Sequence, residues 1–181
     1  SYSNRPIDLG GYGVTYAYGY DPEGNMFEME QLDPEPLAQV EAKLRWIDEG
    51  HSMWMTQVAL VTHDIERLTN WYADIMAFMP YRTGDYEGHP RMAEVAGEPY
   101  LSLLASWFRM DSRAKTIELW QYRDPITPEP TSKKGVTDFG YSYSIEVGDI
   151  ATEVGRMSSL GVEFMSEPVN MGEYHQVYAH D

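Results

Sequence analysis

Alternation of apolar and polar residues predicts a sheet-rich chain with few helices. Residues 14–20 and 26–31 alternate and carry many aromatic side chains, and the turn-forming sequence DPEG separates them at 21–24. The pattern therefore predicts a β-hairpin near the start of the chain. Similar patterns predict further strands at residues 55–62, 100–110, 115–122, 141–147, 162–165 and 174–179.

Two segments have the spacing of an amphipathic helix, and an aspartate precedes each of them. Because an aspartate carboxylate accepts hydrogen bonds from the first helical turn, we expect Asp64 and Asp149 to be the N-caps. Pro80 and Gly161 are expected to end the two helices, and residues 84–97 are predicted to form a loop. The predicted apolar faces consist of Ile65, Leu68, Tyr72, Ile75, Met76 and Met79 in the first helix and Ile150, Val154, Met157 and Leu160 in the second.

The chain repeats itself at the length of a whole domain. Residues 6–17 align without a gap on residues 168–179, at an offset of 162 residues. Such a repeat predicts a tandem protein in which residues 1–33 are the closing β-hairpin of a preceding domain. Residues 34–53 are then a linker with a short helix, and residues 54–181 are a second domain.

A weaker repeat lies inside this second domain. Residues 57–65 align on residues 142–150, at an offset of 85 residues, and the matching aspartates are the two predicted N-caps. We therefore expect one module at 54–123 and another at 138–181, with the last strand of the second module missing from this chain. Each module is a strand, a helix and three further strands.

Composition excludes several classes of partner. The formal net charge of −16 would repel phosphate backbones, so nucleic acid is not an expected partner. No apolar run approaches the roughly 18 residues of a membrane span, so no membrane partner is expected either. The chain has no cysteine, which excludes disulfides, thiolate metal sites and a cysteine nucleophile within it and suits a cytoplasmic location.

Three stretches of sequence carry a resemblance to a known family. They are QVALVTHDI at residues 57–65 with Trp71-Tyr72, TIELWQY at residues 116–122, and DPEGNMFE at residues 21–28. In this order and spacing they resemble the vicinal oxygen chelate superfamily, which includes glyoxalase I, bleomycin-resistance proteins, methylmalonyl-CoA epimerase and extradiol dioxygenases. The resemblance implies an α+β fold of paired βαβββ modules that form a half-barrel around a cleft (glyoxalase-like), in a tandem domain arrangement.

The resemblance also implies a divalent metal held by the opening and closing strands of the modules. It identifies Gln57 and Glu118 as candidate ligands in the second domain, although a glutamate on a strand can instead face solvent. Glu28 is the corresponding residue of the preceding domain. It would complete the metal site of the second domain if the N-terminal hairpin folded back onto that domain. Iron, manganese, zinc or nickel is the expected ion, with no nucleotide cofactor.

One metal position departs from the family pattern. Ser142 occupies the position where relatives carry histidine, and its neighbours Tyr141 and Tyr143 are not good ligands for zinc or iron at neutral pH. This departure argues against the two-histidine, one-glutamate site of extradiol dioxygenases in the second domain. The three residues are instead candidates for substrate contact.

Further candidates come from histidines and aromatic residues on or beside the predicted strands. His89 in the predicted loop, with Trp107 and Trp120, is a candidate for substrate binding, since aromatic walls suit a flat ligand. The resemblance makes His175 a candidate catalytic acid or base, the alternative being an exposed histidine at a sheet edge.

Two functions remain open at this level. The first is a metal-dependent enzyme, similar to an extradiol dioxygenase or to a glyoxalase-type lyase, acting on a small aromatic or hydrophobic oxygenated compound. The second is a metal-free protein that binds and sequesters a ligand, as bleomycin-resistance proteins do. The expected partner in both cases is a small molecule, and the family also suggests a homodimer.

Overall fold

The computed structural model describes residues 6–8, 14–32, 55–110, 116–129 and 142–180. The predicted linker helix and Tyr141 lie outside these residues. The chain forms two compact units: unit 1 comprises Ser1–Thr69 and Met79–Pro130, and unit 2 comprises Asn70–Phe78 and Thr131–Asp181. None of the described helices is long and apolar enough to cross a membrane.

Unit 1 contains most of the regular structure. In chain order its elements are β1 (Ile7–Asp8), β2 (Val14–Tyr20), β3 (Met26–Leu32), β4 (Gln57–Val61), the start of α1 (Ile65–Met76), β5 (Arg82–Glu87), α2 (Pro90–Ala96), β6 (Ser102–Arg109) and β7 (Thr116–Asp124). Helix α1 begins in unit 1 and ends in unit 2.

The main sheet is one βαβββ module, as predicted. Its strand order is β4-β7-β6-β5, with β4 and β7 parallel and the other neighbours antiparallel. Successive side chains on a strand point to opposite faces, so each strand contributes to two surfaces. One face of β6 and β7 buries Phe108, Ile117 and Leu119 completely or nearly so, and the other face carries the polar and aromatic residues described below.

The predicted N-terminal hairpin is confirmed as a three-stranded sheet, β1-β2-β3. The Asp21 carboxylate closes its turn by accepting hydrogen bonds from the backbone N–H groups of Glu23 and Asn25, at 2.9 and 2.8 Å. Gly24 in the same turn has a φ of 86°, a backbone conformation that favours glycine. The turn therefore fixes the register of β2 against β3.

Both predicted N-caps are confirmed. Asp64 Oδ1 accepts a hydrogen bond from Arg67 N at 3.0 Å, and Asp149 Oδ1 accepts one from Thr152 N at 2.7 Å. Helix α1 ends at Met76, earlier than the apolar spacing predicted, because Ala77 adopts a left-handed φ of 59°.

The predicted loop at residues 84–97 is wrong, because these residues form most of β5 and all of α2. Strand β5 pairs with β6 along its whole length, so the ladder of hydrogen bonds overrides its polar, glycine-containing sequence. Helix α2 has local signals of its own: the His89 side chain caps it, Pro90 opens it and Gly97 ends it with a φ of 72°.

Unit 2 has less regular structure than its sequence predicts. Helix α3 (Ile150–Ser159) confirms the predicted helix, and β8 (Val169–Asn170) pairs with β9 (His175–Gln176). The strand predicted at residues 141–147 is wrong for the described residues 142–147, which pair with no other described strand. The strands predicted at 162–165 and 174–179 reduce to β9 and one bridge between Phe164 and Ala179, since a strand without a neighbour leaves its backbone groups unpaired.

The core on the closed face of the main sheet provides a test of stability. Replacing Leu119, which is fully buried, by alanine should lower the free energy of unfolding by about 2 to 5 kcal/mol, because it leaves a cavity. Val61→Ala, on the neighbouring strand β4 and 55% exposed, should cost less than about 1 kcal/mol. Urea denaturation followed by circular dichroism measures both, and equal losses would contradict this assignment of the core.

Candidate functional site

The register of the main sheet places several polar residues on one face. Gln57 of β4 lies opposite Thr116 of β7, and Thr116 lies opposite Arg109 of β6. In the next row of that face, Trp107 of β6 lies between Glu118 of β7 and Arg82 of β5. Residues opposite one another across paired strands share a face, so these side chains converge although they come from four strands.

The hairpin contributes a second wall within unit 1. Tyr16 lies opposite Glu30 and Tyr18 lies opposite Glu28 in the pairing of β2 with β3, so all four share one face. Glu30 accepts a hydrogen bond from Thr56 Oγ1 at 2.8 Å, which joins β3 to the residue preceding β4. Between the hairpin and the main sheet lies a cleft of about 320 Å³, a volume within the usual range for small-molecule sites.

This cleft brings together six of the residues singled out from the sequence. They are Gln57, Glu118, Glu28, His89, Trp107 and Trp120. The hairpin belongs to the same compact unit as the main sheet. In this arrangement Glu28 was expected to complete the metal site of the second domain. The presence of a preceding domain stays a prediction.

Glu118 is held at the centre of the cleft face by two tryptophans. Trp107 Nε1 donates a hydrogen bond to Oε1 of Glu118, and Trp120 Nε1 donates one to Oε2 at 3.1 Å. The side chain is only 5% exposed. Burial raises the pKa of Glu118 to about 7, although the indole hydrogen bonds oppose the rise by stabilising the charged form.

Glu28 lies across the cleft in a similar electrostatic environment. Burial raises its pKa to about 7, the hydrogen bond from Tyr18 opposes this, and the nearby charges of Glu118 and Glu30 add to it. Burial and Glu28 also raise the pKa of Tyr18, so its hydroxyl stays protonated at neutral pH. The cleft therefore holds two carboxyl groups that change charge near physiological pH.

Aromatic rings form the wall around these carboxyl groups. The ring centroids of Trp107 and Trp120 are 6.0 Å apart at an interplanar angle of 73°, and Trp120 stacks on Tyr122 with centroids 6.3 Å apart. Tyr86 meets Trp107 edge to face at 6.3 Å. A β-carbon on Gly84 would lie 2.3 Å from the Tyr86 ring, so glycine is required there for Tyr86 to reach this position.

The cleft offers part of a site for the implied metal. Gln57, Glu118 and Glu28 offer oxygen donors, which suit a hard or borderline divalent ion. However, both carboxylate oxygens of Glu118 accept indole hydrogen bonds. Within the described residues, no group of three His, Cys, Asp or Glu side chains is arranged to hold a metal ion. A metal in this cleft therefore stays a prediction.

The other candidate residues have separate positions. His89 lines the cleft as the N-cap of α2, where its Nδ1 accepts a hydrogen bond from Met92 N at 3.3 Å. Ser142, Tyr143 and His175 belong to unit 2 and are not among the residues that line this cleft. Tyr143 instead shares a hydrogen bond with the Tyr72 hydroxyl. The proposed roles of these residues and of Tyr141 stay predictions.

Sequence reasoning missed several residues of the cleft. They are Arg82, Tyr86, Arg109, Glu30, Tyr16 and Tyr18. Alternation within β5 and β6 contained a usable signal, because Arg82 and Tyr86 are spaced by even numbers, as are Trp107 and Arg109. The loop predicted at residues 84–97 hid this periodicity in β5.

Comparison with solved structures identifies the fold. The chain is similar to a glyoxalase family protein from Bacillus cereus, with a TM-score of 0.60 and 20% identity over 71% of this chain and 86% of that chain. It is also similar to glyoxalase I from Zea mays, with a TM-score of 0.52 and 16% identity over 98% of this chain and 53% of that chain. It thus spans about half the length of the maize protein. The chain therefore has a glyoxalase-like fold.

Comparisons of sequence add no closer assignment. No protein-family model matches the chain, and the search of curated proteins found no match.

The indole hydrogen bonds predict an optical signal for the ionisation of Glu118. In protein freed of metal ions, tryptophan emission should change with a midpoint near pH 7, because the charge beside both indoles changes there. Glu118→Gln should remove this transition, and Glu129→Gln, at an exposed carboxyl, should retain it. A transition that persists unchanged in Glu118→Gln would contradict the assignment.

The same ionisation predicts how stability depends on pH. The usual pKa of 4.5 applies to the unfolded chain, which therefore releases this proton at lower pH than the folded protein. The contribution of Glu118 to the free energy of unfolding is full below about pH 4.5 and falls as pH rises towards 7. Urea denaturation across this range should show a smaller decline for Glu118→Gln than for the wild-type protein.

Proposed function

We propose that the cleft of unit 1 binds a small aromatic compound bearing hydroxyl groups, and that the protein acts on it through Glu28 and Glu118. One observation carries the proposal: aromatic rings and two carboxyl groups with pKa values near 7 line the same cleft of about 320 Å³. The glyoxalase-like fold supports binding of a small molecule, and the residues that line the cleft indicate which class of molecule it is.

The chemistry of the wall favours a flat ring. The rings of Trp107, Trp120 and Tyr122 offer offset and edge contacts with a ligand of one or two rings, which the cleft volume admits. A ligand hydroxyl can donate a hydrogen bond to a carboxylate of Glu28 or Glu118. A carboxyl group with a pKa near the working pH can also accept a proton from an enol or phenol and return it.

A second candidate function is binding without turnover. The two indole hydrogen bonds favour it, because they occupy one acceptor position on each Glu118 oxygen. The metal-dependent dioxygenase or lyase activity that the sequence resemblance implies would need a divalent ion, for which Gln57, Glu28 and Glu118 are the candidate oxygen donors in the cleft.

Binding of a phenol and its methyl ether tests the proposal. Titration calorimetry should give a lower Kd for 4-ethylphenol than for 4-ethylanisole, because only the phenol donates a hydrogen bond to the carboxylates. Glu28→Gln and Glu118→Gln should each weaken phenol binding by about 3- to 10-fold, because a neutral amide oxygen replaces a charged carboxylate as the hydrogen-bond acceptor. Glu129→Gln is the matched control, since its carboxyl is 84% exposed and is not among the residues lining the cleft.

The same titrations distinguish the alternatives. Equal affinities for the phenol and the ether would contradict the role of the carboxylates. Metal analysis of the purified protein, with ligand binding measured before and after chelation, tests whether binding depends on a metal ion. Stoichiometric metal together with binding that chelation abolishes would replace the proposal with a metal-dependent site.

A further inference from the structure

Two arginines in the cleft have aromatic neighbours but no carboxylate partner within the described residues. The guanidinium carbon of Arg82 lies 4.4 Å from the centroid of the Trp107 ring, and that of Arg109 lies 4.1 Å from the centroid of the Tyr81 ring. Arginines elsewhere in the described chain do pair with carboxylates, namely Arg91 with Glu94, Arg123 with Asp85 and Arg156 with Glu153. In a chain with a formal net charge of −16, the cleft thus places two guanidinium groups together, neither of which forms a salt bridge with a described residue. The charge of Arg82 does act on Glu118, whose pKa it lowers.

The register brings these two groups to one end of the cleft. Arg82 lies opposite Trp107, and Arg109 follows Trp107 by two residues on the same strand and therefore on the same face. The two arginines are thus diagonal neighbours across β5 and β6, a spacing that long side chains can bridge. A single oxyanion between them can accept hydrogen bonds from both.

Contacts within the cleft hold the Arg82 side chain in place. Its Nη2 donates a hydrogen bond to the Tyr86 hydroxyl at 2.5 Å while the guanidinium stacks on Trp107. Tyr86 reaches this position because Gly84 has no side chain to obstruct its ring. A guanidinium oriented by stacking loses less conformational entropy when it binds an anion, and its fork of donors matches carboxylate and phosphate oxygens.

We infer that the aromatic ligand carries an oxyanion substituent, a carboxylate or a phosphate, that Arg82 and Arg109 bind together. This inference rests on the proposed function and names the class of its ligand. The acidic residues of the cleft belong to β3 and β7, whereas the arginines belong to β5 and β6. The ligand is therefore bound with its oxyanion towards β5 and β6 and its hydroxyl towards Glu28 and Glu118.

A pair of ligands that differ in charge tests the inference. Titration calorimetry should show 4-hydroxybenzoate binding at least about tenfold more tightly than 4-hydroxybenzamide, which has nearly the same shape but no charge. Arg82→Gln and Arg109→Gln should each weaken binding of the acid about tenfold and leave binding of the amide nearly unchanged. Arg67→Gln, at an exposed position of α1 outside the cleft, is the matched control and should change neither affinity.

Each outcome has a distinct meaning. Equal affinities for the acid and the amide would overturn the inference and leave the proposed function intact, whereas failure of both to bind would contradict the proposed function itself. Equal weakening of both ligands in the arginine variants would show a structural role for the arginines and would also overturn the inference. Tighter binding of 4-hydroxyphenyl phosphate than of 4-hydroxybenzoate would identify phosphate as the oxyanion, and the reverse would identify carboxylate.

Discussion

The hydrogen bonding of one buried carboxylate organises the cleft. A carboxyl group as buried as Glu118 must be hydrogen-bonded, and the indoles of Trp107 and Trp120 supply one donor to each of its oxygens. The two tryptophans come from adjacent strands, so this requirement fixes the orientation of both rings. Because Arg82 stacks on Trp107, the position of a cation also depends on the same carboxylate. The hydrogen bonding of Glu118, the orientation of the two tryptophan rings and the position of Arg82 therefore depend on one another.

The cleft separates opposite charges by strand. Carboxyl groups come from β3 and β7, and guanidinium groups come from the edge strand β5 and its neighbour β6. A glyoxalase-like fold is compatible with many activities, so the fold alone does not define the ligand. The proposed ligand therefore rests on the distribution of charge over the sheet, where acidic and basic side chains come from different strands and face the same aromatic residues.

Sequence reasoning succeeded where local signals agreed with the tertiary structure. The DPEG turn, the two aspartate caps and the strand containing Glu118 all had the expected positions. It failed where pairing decided the outcome: β5 is a strand because β6 pairs with it, and residues 142–147 lack such a neighbour among the described strands. The family resemblance supplied Gln57, Glu118 and Glu28. Alternation could have placed Arg82 and Arg109 each on the same face as its aromatic neighbour in its own strand, but that the two arginines lie close together depends on the register between β5 and β6, which the sequence of one strand does not give.

The hairpin wall has a consequence for the order in which the protein folds. Strands β5, β6 and β7 follow one another along the chain, so their antiparallel pairing closes short loops and can form early. Glu28 and Glu118 are 90 positions apart in the sequence, and the cleft between them exists only after that separation has been closed. We therefore expect recovery of ligand binding during refolding to lag behind formation of the main sheet, which makes the cleft a kinetic marker of the last stage of assembly.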